Sequence, residues 1–269
     1  MNSLLLVREI ASEDFLRFNK NESLINLVKE MGRRNVDRAL IYRERSPEGI
    51  VTKKDIVTKV AMSRVRRYPV SVLHVSSVMS SPLITVRGEA TLSKAANIMM
   101  EKNISSLPVR EGNEITALLT KWNILEALST SSAALAEVMT QNIVTVKDTD
   151  SMLIARKLMV EEGYSSLPVV SGERKVVGIV TLDEVLDALV SLMNVVGDSG
   201  SKSSLRNVTV RDIMRPLIPA LSVEDTVGAA ASLMLEKRVR ATLIMSREGL
   251  LRGIVTLTDL TRHASRVHI

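Results

Sequence analysis

Four copies of one pattern run along this chain of 269 residues, and the repetition restricts the fold more than any other feature. Each copy has a helix-like stretch with apolar residues at positions i, i+3, i+4 and i+7, and the last of these is a methionine. The third copy departs from the pattern once, at Arg156. The middle of a short apolar run follows nine residues later in every copy. A second run then ends in Thr52, Thr120, Thr181 or Thr256. The pattern predicts one supersecondary unit built four times.

Each copy predicts a leading strand, a helix, two strands joined by a turn, and a closing helix. The fold class is therefore α+β, with four tandem β-α-β-β-α units at 5–62, 74–130, 133–192 and 205–266. One unit of about 60 residues buries too little apolar surface to be stable alone. We expect the copies to pack in pairs through their sheets, as two modules. Residues 63–73 and the Gly/Ser-rich residues 197–204 read as connections.

The composition excludes several kinds of chemistry. The chain has no cysteine, which rules out disulfides, thiolate nucleophiles and Cys-based metal centres, and its three histidines are not spaced as metal ligands. No apolar run approaches the ~20 residues of a membrane helix, so we expect a cytoplasmic protein. No activated nucleophile, metal cluster or oriented base is visible. The sequence therefore predicts a protein that is not an enzyme and binds no metal cluster.

Basic charge is concentrated near the start of the chain. The net charge is +6, and Lys and Arg outnumber Asp and Glu by 15 to 9 over residues 1–74, whereas the remainder is balanced at 21 to 21. This part could form a solvated basic face or attract phosphate. An alternative hypothesis is therefore a nucleic-acid-binding protein, with Tyr68 stacking on a base beside Arg64, Arg66 and Arg67.

The four copies resemble the cystathionine-β-synthase (CBS) domain family. The resemblance rests on "GIVTKKDIV" from Gly49, "GIVTLDEVL" from Gly178 and "GIVTLTDLT" from Gly253, in register with "SSLPV" runs and the methionine helices. CBS domains pair into Bateman modules, and a chain of two modules is similar in layout to the gamma subunit of AMP-activated kinase. The resemblance implies clefts between paired copies that bind AMP, ADP, ATP or S-adenosylmethionine. It also implies a regulatory role with a partner protein, and it leaves a homodimer open.

The chemistry of the repeated Thr-x-x-Asp can be reasoned from its residues. A carboxylate in the first turn of a helix can accept hydrogen bonds from the two hydroxyls of a ribose, while the Thr hydroxyl and the free N–H groups face a phosphate. The same motif is also a capping box that needs no ligand. The fourth residues are Asp55, Asn123, Glu184 and Asp259.

We expect ribose to bind at Asp55 with Thr52 and at Asp259 with Thr256. Asn123, beside Thr120, keeps an acceptor without the charge, and Glu184, beside Thr181, is expected only to cap its helix.

Further site residues come from the strands. Related nucleotide-binding CBS domains often carry Arg or His just before the middle of the second strand, which makes Arg38 and Arg240 the candidate phosphate ligands. The resemblance likewise places Thr145, with Thr85, near an adenine. Trp122 could stack on a base or be buried against a neighbouring copy.

Overall fold

The computed structural model describes residues 4–60, 73–172, 175–195, 207–216 and 220–267. Its first half contains a short leading helix and two copies of the repeat. These elements are α1 (Val7–Ile10), β1 (Arg17–Asn19), α2 (Leu24–Arg33), β2 (Arg38–Arg43), β3 (Ser46–Thr52), α3 (Lys53–Val60), β4 (Val86–Arg87), α4 (Leu92–Glu101), β5 (Ser106–Glu111), β6 (Glu114–Thr120) and α5 (Lys121–Leu128). A 3-10 turn at Val75–Ser77 precedes the second copy.

The second half repeats the arrangement. A 3-10 turn at Leu135–Glu137 leads into the third copy, and a short helix and strand lead into the fourth. The elements are β7 (Val146–Lys147), α6 (Met152–Glu161), β8 (Ser166–Val170), β9 (Val176–Thr181), α7 (Leu182–Val195), α8 (Val210–Ile213), β10 (Arg215–Pro216), β11 (Leu221–Ser222), α9 (Val227–Lys237), β12 (Ala241–Met245), β13 (Leu251–Thr256) and α10 (Leu257–Ala264). The predicted β-α-β-β-α order is confirmed in all four copies.

The first helix of each copy is defined by its cap and its apolar face. A Ser or Thr side chain accepts a backbone N–H at the start of each one, which satisfies a donor that the helix cannot pair internally. The periodic apolar residues are buried, as at Leu24, Leu27 and Met31 of α2. After the helix the chain turns through a left-handed residue, namely Asn35, Asn103, Gly163 or Arg238.

Each copy forms its own small sheet. The short first strand runs parallel to the second, and the second and third form an antiparallel hairpin. β10 adds a fourth strand to the third copy by pairing with β9. The register shifts at the same place in every hairpin, as between Ile41 and Tyr42, so the copies share even this irregularity.

The chain divides into two compact units. Unit 1 comprises Met1–Phe15, Ile84–Ile143 and Ile218–Ile269 and holds the second and fourth copies, and unit 2 comprises Leu16–Leu83 and Val144–Leu217 and holds the first and third. Each unit has its own apolar core. The copies pack through helices, with α10 against α5 and α4 in unit 1 and α3 against α7 in unit 2. The copies that share a unit therefore meet through helices, and the expectation that paired copies join through their sheets stays a prediction.

The segment that leads into each copy is exchanged. Ser12 pairs with Leu118 of the second copy, whereas Ser80, which leads into that copy, pairs with Ile50 of the first. The third and fourth copies exchange in the same way, through Thr140 with Ile254 and through β10 with β9. Each exchanged segment therefore lies beside the strand that carries another copy's Thr-x-x-Asp motif.

Candidate functional site

All four closing helices begin with the same local geometry. The Thr backbone N–H and hydroxyl both donate to one oxygen of the side chain three residues later, which is Asp55, Asn123, Glu184 or Asp259. The capping interpretation is therefore realised in every copy. A carboxylate has two oxygens with about four acceptor positions, so the cap leaves the second oxygen for another partner. We call this second oxygen the outer oxygen. The group that hydrogen bonds to it differs between Asp55, Glu184 and Asp259.

The first copy has the most open carboxylate. Asp55 Oδ2 accepts from the Thr52 N–H at 2.8 Å and from its hydroxyl at 2.6 Å. Among the residues that the structure describes, the outer oxygen, Oδ1, accepts from the exposed hydroxyl of Ser80 alone, at 3.2 Å. Asp55 is half-buried, whereas Asp259 of the fourth copy is buried.

Arg38 lies directly across the hairpin from Thr52. It is buried, with 4% of its surface exposed, and its guanidinium donates to both oxygens of Asp37, at 2.6 and 2.8 Å. Side chains of opposed residues project from the same face of the sheet, which brings the start of Arg38 close to the helix start. A phosphate at this place would share Arg38 with Asp37.

The fourth copy has a fully used carboxylate. Asp259 is 4% exposed, and its Oδ2 accepts from the N–H and the hydroxyl of Thr256. Its outer oxygen accepts from the Thr140 hydroxyl at 3.1 Å and from Arg262 Nη1 at 2.8 Å. All four acceptor positions of Asp259 are thus taken by the protein.

Arg240 does not occupy the position of Arg38. It lies one residue before β12, where its carbonyl accepts from the Leu257 N–H at 3.0 Å, and Ala241 is the residue opposite Thr256. The structural counterpart of Arg38 is therefore Ala241, and that of Arg240 is Asp37, whose carbonyl accepts from Lys53 N–H at 3.0 Å. Adjacent strand positions face opposite sides, so the two arginines do not form equivalent phosphate sites.

In the second copy the equivalent side chain is an amide. Asn123 is buried, and its Oδ1 accepts from the N–H and hydroxyl of Thr120 at 2.9 and 2.8 Å. Lys121 is 8% exposed, and its ammonium donates to the Thr258 hydroxyl of the fourth copy at 3.0 Å. Trp122 is partly buried and packs against the core of unit 1.

In the third copy an arginine holds the outer oxygen. Glu184 Oε2 receives the hydrogen bonds of Thr181, and Oε1 forms an ion pair with Arg215 from the exchanged segment. Lys53 of the first copy pairs with the neighbouring Asp183 at 2.9 Å. Asp187, one turn along α7, lies on the exposed face of the helix, and desolvation of its carboxyl by the neighbouring protein atoms raises its pKa. Glu184 therefore caps its helix as expected and carries an ion pair as well.

The two candidate adenine contacts precede their strands. Thr85 is half-buried just before β4, and Thr145 is exposed just before β7. They lie in different units, and neither forms a hydrogen bond with a Thr-x-x-Asp residue in the described part of the chain. Their role as adenine contacts stays a prediction.

The residues that hold the outer oxygens were missed by reasoning from the sequence. They are Ser80, Thr140 and Arg215 from the exchanged segments, together with Arg262. A signal was available, because each of the first three directly follows a methionine, in the runs "VMS", "VMT" and "IMR". The recurring tripeptide marks a fixed place in the repeat, but its partner depends on the exchange.

The remaining sequence hypotheses find less support. Arg64, Arg66, Arg67 and Tyr68 of the nucleic-acid hypothesis lie outside the described residues, as does the Gly/Ser-rich stretch 197–204. Elsewhere in the first copy several of the basic residues form ion pairs, namely Arg33 with Glu30, Arg43 and Lys20 with Glu48, and Lys53 with Asp183. Over the described ranges no group of three His, Asp or Glu side chains could hold a metal ion. Among the helices described, none is long and apolar enough to cross a membrane.

These features define a class of protein: tandem α+β repeats with exchanged leading segments and one polar site at each closing-helix start. The chain belongs to the CBS domain family, whose profile matches residues 7–62, 75–130, 135–191 and 210–266. The resemblance inferred from the repeats is thereby confirmed.

Similar proteins cover the chain to different extents. An uncharacterized 33.4 kDa protein in the ribosomal RNA operon of Thermofilum pendens is 28% identical over 264 residues, which is 91% of this chain and 86% of that protein. A homoserine O-acetyltransferase of Methanohalobium evestigatum is 32% identical over 113 residues, 42% of this chain and only 23% of the transferase. The chain therefore spans less than a quarter of that enzyme's length.

The fold is shared with a solved structure. A protein of Methanocaldococcus jannaschii, described as a proposed archaeal homologue of g-AMPK, matches with a TM-score of 0.83 at 19% identity, covering 96% of this chain and 99% of that one. At this identity the similarity establishes the shared fold.

Proposed function

We propose that this protein is a regulatory protein that binds an adenine nucleotide or S-adenosylmethionine at the starts of its closing helices. Membership of the CBS domain family and the four polar helix starts support a binding role. The observation that carries the proposal is the outer oxygen of Asp55. It belongs to a half-buried carboxyl group and, among the described residues, accepts from one exposed hydroxyl, which suits acceptance of a sugar hydroxyl.

The first copy already contains groups that could bind both the sugar and the phosphate of the ligand. A ribose hydroxyl would donate to the outer oxygen of Asp55, replacing or joining Ser80. The start of α3 offers a partial positive charge to a phosphate; Lys53 is the first residue of that helix, and Arg38 pairs with Thr52 across the hairpin. Asp37 and Asp183 neutralise these two cations in the structure, so a bound phosphate would share them.

The role would be regulatory. We infer that ligand binding favours one arrangement of the chain, which a partner protein reads. The match to the acetyltransferase covers a small fraction of that enzyme, so its activity is not carried over. Whether the chain acts as a homodimer is tested by light scattering with and without ligand.

The test measures thermal shift and calorimetric binding of AMP, ADP, ATP and S-adenosylmethionine, with GMP as a comparison. A ligand that binds only the folded state raises the melting temperature. Asp55→Asn keeps the shape and an acceptor for the cap but removes the charge, so we expect it to weaken binding about tenfold or more.

The matched control is Asp212→Asn. Asp212 forms the same capping box with Thr209, at 2.8 Å from both its N–H and its hydroxyl, but on a leading segment. Asp212→Asn removes an equal charge and keeps the cap acceptor in the same way, yet it should keep wild-type binding. If both variants weaken binding equally, Asp55 is only a structural cap. If none of the four ligands binds to the wild-type protein, the proposed function itself is contradicted.

A further inference from the structure

The four helix starts are not equally available, because the protein occupies their outer oxygens to different degrees. Among the described residues, Asp55 has one neutral hydroxyl there, at 3.2 Å. Asp259 has a hydroxyl and a guanidinium, and Glu184 has a guanidinium. Asn123 has no charge to offer. The copies share one backbone geometry, so the difference lies in these added side chains.

We propose that Arg262 and Arg215 compete with the ligand for Asp259 and Glu184, so that the first copy binds most tightly and the arginines set the occupancy of the fourth and third. This inference rests on the proposed function. It adds residues that determine which sites fill, and those residues lie outside the Thr-x-x-Asp motif.

Arg262 can act as a displaceable competitor. Its side chain is 41% exposed while that of Asp259 is 5% exposed, so the guanidinium can move into water but the carboxylate cannot. A ribose diol presents two donors, and the two positions on the outer oxygen are taken by Thr140 and Arg262. Binding therefore has to break the pair with Arg262, and partly exposed ion pairs hold a carboxylate with modest strength.

Arg215 acts from a different element. It occupies the register position of Ser80 and Thr140, since all three pair with the same place in the hairpin strand. Where the first and fourth copies receive a hydroxyl, the third receives a cation, which neutralises Glu184. The extra methylene of Glu184 accommodates the arginine, and the pair leaves little negative charge for a sugar.

The first experiment isolates the fourth copy. In an Asp55→Asn background, AMP binding is measured by calorimetry for Arg262→Ala and for Arg266→Ala, a matched loss of charge at an exposed residue near the end of the same helix. We expect Arg262→Ala to tighten the remaining Kd about two- to fivefold, the range that a partly exposed ion pair supports. Arg266→Ala should leave it unchanged.

The outcomes separate the two ideas. If wild-type protein binds none of AMP, ADP, ATP and S-adenosylmethionine, the proposed function fails and the inference fails with it. If wild type binds but Arg262→Ala leaves the Kd unchanged or weakens it, the inference alone is overturned. If the alanine variant does not fold, the same measurement is made on Arg262→Gln, which keeps a polar side chain beside the buried carboxylate.

A gain of binding tests the third copy. The double variant Arg215→Ser with Glu184→Asp reproduces the arrangement of Ser80 and Asp55. We expect one additional AMP bound per chain relative to wild type, measured at saturating concentration. An unchanged stoichiometry in a folded variant would contradict the role given to Arg215.

Discussion

An exchanged segment crosses a hairpin glycine in both the first and the fourth copy. The atom nearest to an added methyl group is a backbone oxygen in the first copy and a side-chain sulfur in the fourth. A methyl group added at Gly49 would lie 2.7 Å from the Ser80 carbonyl oxygen. That carbonyl is fixed, because it accepts from Ile50 N–H at 3.0 Å while Ser80 N–H donates back to Ile50 at 2.8 Å. At Gly253 the nearest atom is instead the sulfur of Met139, at 2.8 Å, and the backbone oxygen of Thr140 is 3.3 Å away.

Gly49→Ala should therefore be costly and Gly253→Ala cheap. Overpacking against fixed atoms costs about 1–3 kcal/mol, which corresponds to a loss of about 3–10 °C in Tm for a unit of this size. At Gly253 the flexible methionine can move, and alanine gains about 0.5–1 kcal/mol over glycine in a strand, so the net change should be within about 1 kcal/mol of zero. In the second copy Ala117 stands at the glycine position and Ala11 at the methionine position, which is the combination that Gly253→Ala with Met139→Ala reproduces.

Calorimetry and circular dichroism measure both variants, and fluorescence of Trp122 follows unit 1 separately. The double variants complete the test. Met139→Ala should remove the remaining cost of Gly253→Ala, giving a favourable coupling energy, whereas Met79→Ala should not rescue Gly49→Ala. Equal costs at the two glycines, or equal rescue by the two methionine truncations, would refute the assignment of the clash to the Ser80 backbone.

Three further predictions concern stability. Arg238→Asn should raise the free energy of unfolding by about 0.5–1 kcal/mol, because Arg238 has a φ of 52° where other copies have Asn or Gly, and an unchanged value in urea denaturation would show no strain there. Asp187→Asn should stabilise the protein at pH 7, because a raised pKa means that the ionised carboxylate opposes folding. This gain in stability should vanish as the pH falls through the folded-state pKa toward 3.8, and a gain in Tm that does not depend on pH would exclude this cause. Thr256→Val should cost about 0.5–2 kcal/mol because it removes the acceptor for the N–H groups of Thr258 and Asp259, and a melt like wild type would show that the cap is dispensable.

The repeat could be derived in detail from the sequence because its determinants are local. The helices begin at Ser or Thr caps and bury residues three and four apart, and the closing helices begin with hydrogen bonds between residues three apart. Interactions of this range depend on neighbouring residues alone, so the β-α-β-β-α order and the capping of Asp55 and Asp259 follow from the motif itself.

The tertiary structure decided the rest, because the decisive contacts join residues far apart in the chain. Ser80 reaches Asp55 across 25 positions, Arg215 reaches Glu184 across 31, and Thr140 reaches Asp259 across 119. Which copies share a core, and which side chain meets each outer oxygen, depends on how the leading segments are exchanged. The motifs alone could not reveal the difference between Asp55 and Glu184, since the guanidinium that meets Glu184 comes from a distant part of the chain, whereas Arg262 lies only three residues from Asp259.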